Sequence, residues 1–223
     1  MPASPSFLAR ALLVAAALWP CFGTAAAEPS ALPPPPLAVG DLVFIRVPVR
    51  PFVEVAAATG SWTNHVGIVV DTAGAEPLVA ESTFPRVRAT PLSRFVARSE
   101  AGRVAVRRLA QPLDGAQAQR LKAAAEARYG ALYDTGFDLQ SRRRQFCSRF
   151  VREVLLQATG VAVGEVERFE SLLQRRPDAN VGFWRLWYFG RIPWERQTVT
   201  PASVLDSPAL VPVFDGRWAA AAS

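Results

Sequence analysis

What most constrains this chain is a succession of short apolar runs, each closed by proline, glycine or a turn-rich stretch. Leu42-Val43-Phe44-Ile45 follows the turn Gly40-Asp41 and is ended by Pro48 and Pro51. His65-Val66-Gly67-Ile68-Val69-Val70 runs into turn residues over 71–77, and Leu78-Val79-Ala80-Glu81-Ser82 follows. Runs this short between such breakers read as buried strands, and 65–82 reads as a hairpin. Side chains alternate across a sheet, so pairing odd residues with odd ones puts Glu81 on the face of His65, as a diagonal neighbour. A slip of one residue sends Glu81 to the far face, and the sequence leaves that register open. Val87 to Thr90, Val104 to Leu109 and Val211 to Phe214 read as further strands.

Helical signals alternate with these runs. Residues 52–60 form a short helix stopped by Gly60, and 91–95 a helical turn. Asp114 caps a helix over 115–129, with Gln117 at the third helical position as in a capping box, and Gly130 ends it. Phe150, Val151, Val154, Leu155 and Ala158 make the apolar stripe of a helix that starts at about Cys147 and stops at Gly160. Thr200-Pro201 opens a helical turn. The aromatic run 183–189 either packs a core or lines a groove for an apolar or glycan ligand.

The N-terminus reads as a secretory leader: Arg10, an apolar run over 11–19, then Ala25-Ala26-Ala27 as a small-residue cleavage site. The run is too short to be a good spanning helix. Acylation at Cys21 is the alternative, but Trp19 and Pro20 stand where small residues belong. The protein is therefore expected to be exported, periplasmic or secreted, with a Pro-rich linker at 28–38 and one domain over 39–217. Cleavage leaves about 195 residues, enough for a sizeable core.

Cleavage also removes one of the two cysteines and leaves Cys147 alone. An exported chain with one cysteine has no internal disulfide, so packing must carry its stability. One histidine and one cysteine also argue against a structural zinc site, and no metal or cofactor is expected. The formal charge is +6, almost all from arginine, with Lys122 the single lysine. Most of this charge reads as a compositional use of arginine for lysine; the alternative is attraction to anionic partners, with peripheral contact at an envelope surface, and scattered charge on an exported chain argues against nucleic acid. The tract Arg142-Arg143-Arg144 near Cys147 either steers an acidic substrate or is a solvated loop.

Cys147 in a first helical turn meets unpaired N–H groups and the positive end of the helix dipole, which favour a thiolate. His65, the only histidine, can activate it and protonate a leaving group. A third polar group must orient the imidazole. Glu81 is the candidate by parity, and Asn64, an adjacent strand residue, is the other.

The succession Gly40-Asp41-Leu42-Val43-Phe44, Asn64-His65-Val66-Gly67-Ile68-Val69, Glu81, Tyr133-Asp134 with Phe137, and Phe146-Cys147-Ser148-Arg149-Phe150-Val151 resembles the circularly permuted NlpC/P60 cysteine hydrolases, the YiiX/YebB-like (YaeF) group. Thr200-Pro201 and Ser207-Pro208 extend the match, which covers about residues 39–214. The resemblance implies an α+β, papain-like fold in which an antiparallel sheet carrying His65 packs against helices, one of them bearing Cys147. It implies Cys147 as nucleophile, His65 as base and Glu81 as the orienting acid, with Tyr133 lining the site. Arg149 departs from the group's C-S-E pattern; it either favours the thiolate or faces solvent. The expected activity is hydrolysis of an amide or ester in a cell-wall peptide or a lipid acyl substrate. The alternative is a non-catalytic module that binds peptidoglycan or anionic lipid.

Overall fold

The computed structural model describes residues 35–176 and 179–218. The leader read at 1–27, Cys21 and the first part of the linker lie outside the described residues. In chain order the strands are β1 (Leu42–Ile45), β2 (His65–Asp71), β3 (Leu78–Ser82), β4 (Val87–Pro91), β5 (Arg103–Leu109), β6 (Leu132–Tyr133), β7 (Arg144–Gln145), β8 (Val166–Arg168), β9 (Gln197–Val199) and β10 (Leu210–Arg217). The helices are α1 (Arg50–Thr59), α2 (Leu92–Val96), α3 (Gly115–Glu126), α4 (Cys147–Thr159), α5 (Phe169–Gln174), α6 (Val181–Trp187) and α7 (Pro201–Leu205).

Six strands form one sheet in the order β10-β5-β1-β2-β3-β4, and every neighbouring pair is antiparallel. The short runs at 42, 65, 78, 87 and 104 all lie in it. Both faces are covered. On one, Leu42, Phe44, Val66, Ile68 and Ala80 meet α3 and α4 through Leu121, Phe150, Val154 and Leu155. On the other, Val43, Ile45, Val69, Val79 and Val106 meet Leu92 and Phe95 of α2. The sheet is thus sealed by apolar contact on both sides, the dominant favourable term for a domain with no disulfide.

The helix boundaries follow local chemistry. Asp114 accepts a hydrogen bond from the Gln117 amide (2.7 Å) and the Gln117 side chain accepts one from the Asp114 amide (3.0 Å), a complete capping box. The helix it starts ends at Glu126, earlier than the sequence suggests, and turns carry the chain to Gly130. α4 ends where Gly160 takes the left-handed conformation (φ 79°). Pro51, read as a strand terminator, lies in the first turn of α1, where a proline costs no helical hydrogen bond. The connection 130–146 contains a small parallel pair, β6 with β7, that leads into α4.

Candidate active site

The register of the hairpin places the first two residues. Ile68 faces Ala80 and Val69 faces Val79, so odd residues oppose odd ones up to a bulge at the turn end. Glu81 is then the diagonal neighbour of His65, and its carboxylate reaches the ring: His65 Nε2 to Glu81 Oε2 is 2.6 Å. Glu81 is fully buried, yet three donors hold it. Arg98 Nη2 donates to the same Oε2 at 2.7 Å, and Thr90 Oγ1 donates to Oε1 at 2.7 Å. Burial opposes the charge on Glu81, but hydrogen bonding and the charges of His65 and Arg98 outweigh it and hold the carboxyl at about 2.

His65 opens β2, and its ring is wedged between aromatic side chains. Phe95 lies 5.6 Å away at a 30° tilt, and Phe52 stands perpendicular to the ring at 5.9 Å. Burial pulls the ring's pKa down; hydrogen bonding to Cys147 and Glu81, with the charges of both, reverses this and raises it to about 9. Nε2 is taken by Glu81. Nδ1 is buried without a well-aligned partner among the described residues, so Nδ1 is the nitrogen left for Cys147.

Cys147 is the first residue of α4 and is 3 % exposed. Its position is pinned on both sides. Ser82 Oγ, at the end of β3, donates to the Gln145 carbonyl at 2.8 Å, and Ser148 Oγ donates to the Val199 carbonyl at 2.8 Å. The N-cap residue, Phe146, offers no side-chain bond, so the dipole and free N–H groups of the first turn act at Cys147. Tyr133 is beside it. Its hydroxyl is buried with no partner among the described residues, and burial, then the charges of Cys147 and Asp134, raise its pKa well above the ordinary value.

Cys147 lines an apolar pocket with Phe52, Val55, Phe137, Leu172 and Trp184, and among the described residues no charged side chain borders it. Tyr133 and Asn64 also border it. Asn64 does not orient the imidazole: its amide accepts from Val47 N (2.7 Å) and donates to Val47 O (3.0 Å). Arg149 does not face solvent. It is 8 % exposed and turned to Glu153 Oε1 (2.7 Å) and the carbonyls of Arg144 (3.1 Å) and Asp138 (3.3 Å). It fastens the 138–144 connection to α4. Arg142, Arg143 and Arg144 are exposed. Sequence reasoning missed Thr90 and Arg98. Thr90 carries a signal, since β4 pairs with β3 and sets it opposite Val79, on the face of Glu81. Arg98 lies past α2 and has none.

Comparison with known proteins converges on one family. The family model described as permuted papain-like amidase enzyme, YaeF/YiiX, C92 family, matches residues 36–214. The protein YiiX of Escherichia coli strain K12, described as uncharacterized, is 32% identical over 174 residues, which is 78% of this chain and 84% of that one. The crystal structure of metalloprotein yiiX from Escherichia coli O157:H7 superposes with a TM-score of 0.71 at 30% identity, covering 84% of this chain and 99% of that one. The antiparallel sheet packed on helices is accordingly the papain-like fold in its permuted order, His65 preceding Cys147, and the chain belongs to the permuted papain-like amidase family of YaeF and YiiX.

Proposed function

We propose that this amidase-family protein is a cysteine hydrolase that cleaves an amide or ester of a hydrophobic acyl group through a thioester on Cys147. The observation that carries the reading is the buried line from Glu81 through His65 to Cys147. At neutral pH His65 holds a proton, and the nucleophile of such a reaction is the sulfur anion formed beside that imidazolium. Sγ attacks the acyl carbonyl and forms the C–S bond. The tetrahedral oxyanion meets the N–H groups of the first turn of α4 and the unpartnered Tyr133 hydroxyl. As the bond to the leaving amine or alcohol breaks, His65 gives that group its proton. Neutral His65 then takes a proton from water, whose oxygen attacks the thioester; the acid departs and the thiolate–imidazolium pair returns. Glu81 keeps the ring oriented and supports its charge.

Acyl chemistry is favoured over cell-wall peptides by the pocket. Its phenylalanine, leucine and tryptophan walls suit an alkyl chain, whereas the carboxylates and amine of a muropeptide would find no charged partner there. The E. coli relative is described as a metalloprotein. In this chain no group of three or more His, Cys, Asp or Glu side chains converges among the described residues, and His65 Nε2 is occupied by Glu81. The donor set does not fit a resident ion, and no step runs through one. The test is intact-mass analysis after incubation with acyl thioesters of increasing chain length and, separately, with peptidoglycan fragments. An acyl mass on Cys147, absent in Cys147→Ser, is expected. A peptide adduct would replace the acyl reading, and labelling of Cys147 by an electrophile no faster than a model thiol would remove the catalytic one. Export belongs to the same proposal, and N-terminal sequencing of the mature protein should begin at Glu28.

A further inference from the structure

α6 is turned outward in a way that its packing does not explain. Its inner side carries Trp184, which lines the acyl pocket, with Trp187 and Tyr188 anchored to the loop after Tyr133. Trp187 Nε1 donates to the Thr135 carbonyl (2.9 Å) and Tyr188 Oη to the Gly136 carbonyl (3.0 Å). A helix fixed so firmly on one side should present polar residues on the other. Instead Leu186 is 79% exposed, and Phe189, in the turn just past the end of the helix, is 96% exposed. Phe189 also takes a left-handed conformation (φ 52°), uncommon for a bulky residue, and no aromatic partner among the described residues covers its ring. Arg185 and Arg191 flank the two apolar side chains, exposed and without an ion pair among the described residues. Trp194, also exposed, follows. The nearest exposed acid of that turn, Glu195, is paired with Arg168 at 2.8 Å.

We propose that this outer face, Leu186 and Phe189 between Arg185 and Arg191, docks the protein on the surface of an anionic phospholipid bilayer. Apolar side chains ringed by arginine and interfacial aromatics are what a headgroup layer accepts: the apolar tips enter the acyl boundary while the guanidinium groups meet lipid phosphates. The chain's positive charge acts in the same direction. The inner side of the same helix walls the acyl pocket, so docking brings that wall to the bilayer from which an acyl lipid would come. The use of the surface rests on the acyl reading, but its binding does not.

The experiment is co-sedimentation of the full-length mature protein with phosphatidylethanolamine–phosphatidylglycerol vesicles and with pure phosphatidylcholine vesicles, in wild type, Cys147→Ser and the double variant Leu186→Glu/Phe189→Glu. Wild type and Cys147→Ser are expected to bind the anionic vesicles equally. The double variant is expected to bind at least about tenfold more weakly, since two large apolar insertions are removed and two acids added. Its circular dichroism and its Cys147 labelling rate should match the wild type, because neither residue borders the pocket. Equal binding by the double variant, or no wild-type binding to anionic vesicles, overturns the proposal. A wild-type dimer that the double variant dissociates would make the face a contact between copies instead. Wild-type protein that binds the anionic vesicles but releases no acyl group from their lipids would count against the acyl reading alone.

Discussion

His65 keeps its proton in a place where burial alone would remove it. The ring is held at about 9 because Cys147 on one side and Glu81 on the other both favour the cation. The sign of the linkage follows. A folded-state pKa raised from 6.5 to about 9 stabilises the protein in full below 6.5, and that contribution disappears as pH rises through 9. Glu81, lowered from 4.5 to about 2, contributes in full above 4.5 and loses it as pH falls through 2. The pair stabilises most between pH 4.5 and 6.5, and urea midpoints should decline from there towards 9. In His65→Ala that alkaline decline should flatten, and Cys147 labelling at neutral pH should slow by about 10²- to 10⁴-fold.

Arg98 shares Glu81 Oε2 with the imidazole, so two cations divide one oxygen. Removing the guanidinium in Arg98→Met leaves Oε2 to His65 alone, with Thr90 still on Oε1. The alkaline limb of the labelling profile should move upward and the acid limb should move upward with it, as Glu81 loses a supporting charge. A substitution that only loosened the fold would lower the rate at every pH and leave both limbs in place.

Among the elements, β2 and α2 are matched through a missing side chain. A Cβ on Gly67 would stand 2.5 Å from Val79 Cγ1 and 2.9 Å from Phe95 Cε2. Phe95 in turn supports the imidazole. Gly67→Ala should therefore displace Phe95 and lower both thermal stability and Cys147 labelling, whereas a surface alanine would alter neither. Arg149 makes the contrasting case. Cutting it to alanine leaves the Arg144 and Asp138 carbonyls without their donor, at a cost of about 1–3 kcal/mol in urea unfolding. The labelling rate of Cys147 should change far less than in Gly67→Ala, since the guanidinium is engaged with Glu153 and the 138–144 connection.

The β2–β3 register shows why part of the site was hidden at the element scale. Alternation selects a register when one face of a sheet is wet. Here Val66 and Ile68 are buried under α4 and Val69 and Val79 under α2, so apolar residues occur on both faces and either register buries them. The sequence could say only which register would join His65 to Glu81. The capping box that starts α3 and the left-handed glycine that stops α4, by contrast, were legible, because each depends on a few adjacent residues; the end of α3 at Glu126 was not.

At the scale of the whole molecule, the last strand of the chain completes the sheet. β10 pairs with β5, next to β1, and covers what would otherwise be an exposed sheet edge. Truncation after Ser207 should leave β5 open and give aggregation in size-exclusion chromatography, even though the site lies on the other side of β1. Docking on a bilayer also belongs to this scale, since it needs α6 held by the 135–136 loop and not merely its own sequence.

The sequence by itself determined the strands of the main sheet, the long helices, the family order and the three residues Cys147, His65 and Glu81 as candidates. These rest on short-range rules: periodicity, caps and breakers written within a few residues of one another. Tertiary structure alone decided that Glu81 is shared with Arg98 and Thr90, that Asn64 serves Val47, that Arg149 is engaged by Glu153 and the 138–144 connection, and that Leu186 and Phe189 are left uncovered. Those outcomes depend on which atoms of distant segments meet, and on which side chains find no partner, and no local pattern encodes either.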